Sequence, residues 1–152
     1  MMTNQKIVLK NAAKTYVAIV GFYFFMKLIG MSDIVEFRIL NILFVIWGIN
    51  SSIKNNIHQN MDNNYLTNLS MGFSTGLLGI IGVIVSMVLY ITFIDGSLML
   101  TLQNTSFWGN NLTLPKVVFS MTVEAMASCV ISTFVLMQYW KKHKIESLIK
   151  HS

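Results

Sequence analysis

Glu124 stands in a mostly apolar run, Val117 to Leu136, with Ser120, Ser128 and Ser132 flanking it at four-residue spacing. An ionised carboxylate at the centre of a membrane helix costs about 2.5–3.5 kcal/mol on insertion scales. Such a group must therefore be neutral, paired or turned toward water. The serine spacing predicts a polar stripe on one helical face, which membrane helices turn toward their neighbours. Lys27 is the candidate partner. It lies about one turn below the outer end of an antiparallel apolar segment, and its flexible stem of about 6 Å can cover a small mismatch in depth. Two chemistries follow for Glu124 and Lys27. One is an intramembrane ion pair that fixes helix register; the other is a protonatable site on a transport path. A single acid without a second carboxylate or a histidine beside it favours the structural reading.

The other reactive residue types form no constellation. His58, His143 and His151 share no metal-ligand spacing, so no metal is expected. The one cysteine, Cys129, excludes an internal disulfide and reads as a small buried hydrophobe. Trp47 and Asn50 read as packing residues before cavity-lining ones. Asn104-Thr105-Ser106 and Asn111-Leu112-Thr113 match glycosylation sequons, a pattern common by chance in an asparagine-rich chain. The chain has no phosphate loop, nucleophile elbow or metalloprotease motif. No catalytic residues and no cofactor are expected, and the chain is not read as an enzyme.

The elements that position these residues are membrane spans. No charged residue occurs between Asp62 and Asp95. That run is about 48 Å long as a helix, against the roughly 30 Å of a bilayer core. A chain of 152 residues cannot cover such a helix on every side. Three further apolar segments are long enough to cross with it. The expected architecture is an all-α bundle of four transmembrane helices in one domain, with spans near residues 12–30, 33–53, 69–95 and 115–140. Asp33 and Glu36 suit the start of the second helix, and Thr113 and Pro115 the start of the fourth. Residues 54–66 read as an asparagine-rich loop. The third helix is expected to continue past Asp95, or a short interfacial helix to follow it. The tail through Ile145, Leu148 and Ile149 should extend the fourth. Gly72, Gly76, Gly79, Gly82 and Ser86 fall along one face of the third span, a small-residue stripe that lets helices approach closely. It reads first as packing within the bundle and second as a face for another copy or a larger complex.

Composition agrees with a membrane class. The chain is 54% hydrophobic and 11% charged, with a formal net charge of +5. Its lysines gather near the chain ends, beside apolar spans. Anionic lipid headgroups at Lys6, Lys10, Lys14, Lys141, Lys142 and Lys144 are the expected partners, rather than nucleic acid. With both termini cytoplasmic, the inner side holds these lysines together with Lys54 and Lys150. The outer side keeps Lys27, Arg38 and Lys116 beside Asp33, Glu36 and Asp95, as the positive-inside rule requires. The first span lacks a clear signal-peptidase site after it and reads as a retained helix.

The lysine-led first span, the Gly72-Phe73-Ser74-Thr75-Gly76 entry to a third helix ending Val88 to Ile94, and a fourth span closed by Lys141-Lys142 together carry a resemblance. Over most of residues 10–145 the chain resembles a family of small four-span inner-membrane proteins of Bacteroidetes-type bacteria with no settled activity. That resemblance implies a multi-pass inner-membrane location and supplies no catalytic residues. The expected role is a non-enzymatic structural or accessory component that packs through its third helix, alone as a homo-oligomer or within a larger membrane complex. The alternative is a small proton- or cation-coupled transporter or channel-like protein using Glu124.

Overall fold

The computed structural model describes residues 3–30, 40–94, 96, 99 and 113–150, with the backbone alone for 142–150. Its described residues form four helices: α1 (Asn4–Ile29), α2 (Leu40–Gln59), α3 (Tyr65–Phe93) and α4 (Leu114–Lys150). Three of them, α1, α3 and α4 as far as Lys141, are long and apolar enough to cross a membrane.

The helix ends follow local chemistry. Gly30 closes α1 with φ 77°, a left-handed conformation in which a glycine carries no Cβ penalty, and its N–H bonds the carbonyls of Lys27 and Met26. The segment read as a loop over 54–66 is largely helical. α2 continues through Gln59, and α3 begins at Tyr65 with Asn64 as its cap, the Asn64 side chain accepting from the Leu66 N–H at 3.0 Å. Only residues 60–64 connect the two helices, and Met61 takes the positive φ of 54° that reverses the chain. At its other end α3 stops at Phe93, and most of the segment expected to carry its continuation or a short interfacial helix lies outside the described residues. α4 keeps its helical backbone to Lys150, as the pattern of the tail predicts. The spacer containing Asp33, Glu36 and Arg38, the charged Asp95 and both sequons lie outside the described residues.

Contacts fix the arrangement. Asn60 of α2 meets Asn4 of α1, Ser52 of α2 meets Thr75 of α3, and Tyr16 of α1 meets Ser86 of α3. Trp140 of α4 meets Asn50 of α2. Thus α1 and α3 run one way, α2 and α4 the other, and the start of α1 and the end of α4 lie at the same end of the bundle. α2 and α3 pack together, and each also packs against both α1 and α4; α1 and α4 make no substantial contact. They therefore flank the α2–α3 pair on opposite sides.

Polarity is inverted relative to a soluble bundle. The exterior displays large apolar side chains on every helix, among them Leu28, Leu43, Leu89 and Ile131. The interior mixes Ile49, Ile53, Val45 and Cys129 with the polar Asn11, Thr15, Ser52, Asn56, Asn68 and Thr75. Lipid solvates the first group, and only protein partners can satisfy the second.

Candidate functional site

The small-residue stripe of α3 is engaged inside the chain. A Cβ on Gly72 would stand 3.1 Å from Ile49 and Ile53 of α2 and from Thr133 of α4, and one on Gly76 would strike the Cys129 sulfur of α4. Farther along, Gly79 faces Ala12 and Thr15 of α1, Gly82 faces the Tyr16 ring at 3.1 Å, and Ser86 bonds the Tyr16 hydroxyl at 2.7 Å. The stripe thus serves α2 and α4 over its first half and α1 over its second. Removing the last contact by Tyr16→Phe should lower stability by about 0.5–1.5 kcal/mol, the net worth of one hydrogen bond. The same loss should follow Ser86→Ala, and the double variant should lose little more when unfolding is titrated in mixed micelles.

Sequence reasoning passed over the closest helix approach. At Gly48 of α2 an added Cβ would overlap the Thr15 hydroxyl of α1 and sit 3.1 Å from its Cβ. Thr15 is held by its own bond to the Asn11 carbonyl at 2.9 Å, so it has little freedom to move away.

It also passed over a buried amide network at the end of the bundle holding the chain termini. The Asn68 Nδ2 donates to the carbonyls of Asp62 and Asn64, both at 2.9 Å, which ties the turn to α3. Asn56 donates to the Asn68 Oδ1 at 3.0 Å and accepts from Asn60 at 2.9 Å; Asn60 reaches Asn4 of α1 at 3.0 Å. Asn56, Asn60, Asn64 and Asn68 recur every four residues, and that interval was the available signal. One level up, Thr75 donates to Ser52 at 2.8 Å. Asn11, fully buried, bonds the Ile7 carbonyl at 2.8 Å, while its Oδ1 has no hydrogen-bond partner among the described residues.

The two charged candidates are not brought together. Lys27 is exposed in the last turn of α1, where its ammonium donates to the Tyr90 hydroxyl and lies 5.0 Å from the centre of that ring. Tyr90 in turn meets Tyr23 and Phe24 edge-on. Glu124 is exposed on α4, across the α2–α3 pair, and makes no ion pair or hydrogen bond among the described residues. The register of the glycine contacts also sets them about 17 Å apart in depth at 1.5 Å per residue. The expected one-turn mismatch and the inward-facing stripe are both corrected on this point. Ser132 is buried and Ser120 and Ser128 are half-buried, whereas Glu124 rotates to the edge of the outward arc.

Of the remaining candidates, Cys129 and Asn50 are placed as packing groups, whereas Trp47 is exposed. Cys129 is buried, its thiol directed at the Phe73 carbonyl at 3.6 Å. Trp140 donates to the Asn50 side chain at 2.9 Å and meets His58 edge-on, which joins the ends of α2 and α4. Lys6, Lys10, Lys14, Lys54 and Lys141 are all exposed, whereas the side chains of Lys142, His143 and Lys144 lie outside the described residues. Compared with protein-family models, with curated proteins and with solved structures, the chain matches none.

Proposed function

We propose that the chain is a non-enzymatic, four-span protein of the bacterial inner membrane, with both termini cytoplasmic, acting as a structural or accessory component. The observation that carries this reading is the inverted polarity: an apolar exterior on every helix around an interior pinned by amides and hydroxyls. α2 makes the fourth crossing, because it packs against all three of the apolar helices. The orientation is supported by Lys6, Lys10, Lys54 and Lys141, exposed toward the end that holds the chain termini. The positive-inside rule puts that end in the cytoplasm, where anionic headgroups can meet it.

Alkaline extraction of membranes tests the location. The chain should remain in the pellet, and its release with peripheral proteins would overturn the reading. Purification in mild detergent tests the role: a defined oligomer or complex is expected, and an isolated monomer with a transport activity would contradict it. The transporter alternative assigns a proton or cation to Glu124. An exposed position with no ion pair or hydrogen bond among the described residues favours the accessory reading. Glu124→Gln removes an ionisable group from a lipid-facing surface and is expected to leave stability unchanged or raised. It should also leave ion flux in proteoliposomes at the level of the unaltered chain; abolition of a pH-dependent flux would favour the transporter.

A further inference from the structure

The interior faces of α3 are spent within one chain, so any association must use an exterior face, and two of these faces carry opposite charges. Lys14 on α1 and Glu124 on α4 are both exposed, and neither has an ion-pair or hydrogen-bond partner among the described residues. Each is set in an apolar surface. Val17, Phe25 and Leu28 share the outward face of α1 with Lys14, and Ala127, Ile131 and Phe134 share that of α4 with Glu124. An acid in that position has an incentive to find a cation, because lipid offers none at that depth.

The depths agree. Gly79 of α3 lies against Ala12 and Thr15, which puts Lys14 level with Gly79. Gly76 lies against Cys129 on the antiparallel α4, which puts Gly79 level with residue 126 and Glu124 two residues farther out. Lys14 and Glu124 therefore differ in depth by about 3 Å, well within the reach of a lysine stem. Copies inserted with one topology hold every residue at one depth, so a lateral neighbour presents its Lys14 where Glu124 needs a partner. Lys27, about 17 Å farther out than Glu124, does not meet this condition.

We infer that the protein self-associates laterally, with Glu124 on α4 of one copy paired to Lys14 on α1 of the next. The inference rests on the membrane reading above. Because α1 and α4 flank the bundle on opposite sides, the contact is head-to-tail and builds a row or a ring, not a two-fold pair.

Energy transfer between donor- and acceptor-labelled chains in liposomes tests this, with association read from its dependence on lipid dilution. The wild-type chain should show transfer well above that of randomly placed monomers. K14E alone and E124K alone should each lose at least tenfold in association, because each then sets like charges together. Mixing K14E chains with E124K chains should restore transfer between unlike chains, since every contact between the two variants joins opposite charges and an alternating row contains no other. The milder K14Q and E124Q should also weaken association, and wild-type transfer in both would overturn the inference. So would a mixture no better associated than either variant alone, with both variants helical and bilayer-inserted. A wild-type chain that resists alkaline extraction yet behaves as a monomer overturns the inference and leaves the membrane reading standing. A chain stripped by alkali overturns both.

Discussion

Gly48→Ala should destabilise the bundle by about 1–3 kcal/mol, the usual cost of adding a methyl to a filled interior. The new Cβ would overlap the Thr15 hydroxyl, and it would remain 3.1 Å from the Thr15 Cβ even if that hydroxyl rotated away. Rotation would also break the bond to the Asn11 carbonyl. The only other relief is separation of α1 from α2, which would pull at the Asn4–Asn60 contact at the end of the same helix pair. A specific rescue follows. Thr15→Ala removes the struck atoms, so Gly48→Ala in a Thr15→Ala background should cost far less than in the wild-type chain. Unfolding in mixed micelles of the four members of this cycle measures the coupling. Additive costs would show that α1 and α2 do not cross at Gly48. Gly21 on the outward face of α1 is the control: a Cβ there meets nothing within 4 Å, so Gly21→Ala should be neutral or mildly stabilising.

Asn68→Ala should cost about 2–3 kcal/mol, the upper part of the range for orphaning a buried polar group. The substitution deletes two donors to the 60–64 turn and the acceptor for Asn56 at once. Shape alone does not account for the expected loss, and Asn68→Asp separates the two effects. Aspartate keeps the size but turns an oxygen toward the Asp62 and Asn64 carbonyls, replacing two attractions with repulsion. It should be at least as damaging as alanine. If aspartate were instead tolerated, the amide network would not be what holds this end of the bundle. Asn56→Ala combined with Asn68→Ala should cost less than the sum of the two, because they share one bond.

Residue type and spacing reveal much of this architecture and little of its wiring. The helices α1, α3 and α4 are legible because a charge-free run in a short chain has few physical solutions. Helix ends were less legible, since Asn55 through Gln59 have the composition of a turn yet finish α2. In water such residues are read as solvated; in a membrane bundle they can be the interior. The glycines of α3 announced a close approach by their number, whereas Gly48 stands alone and gave no such notice. Lys27 and Glu124 look complementary along the chain, but hydropathy does not say which helices are neighbours. Here the flanking positions of α1 and α4 keep the two charges apart.

The same flanking arrangement bears on biogenesis. Nothing that α1, α2 and α3 require from one another waits for α4: the Gly48 crossing, the Tyr16–Ser86 bond and the asparagine relay all lie within the first 94 residues. On the proposed four-span reading, the ribosome can release a finished three-helix unit into the bilayer before the last helix is made. α4 then arrives as a late addition that seals the Gly72–Gly76 groove with Cys129 and Thr133. Until it does, that groove faces the lipid, and it is there that a nascent chain is open to capture by a helix other than its own.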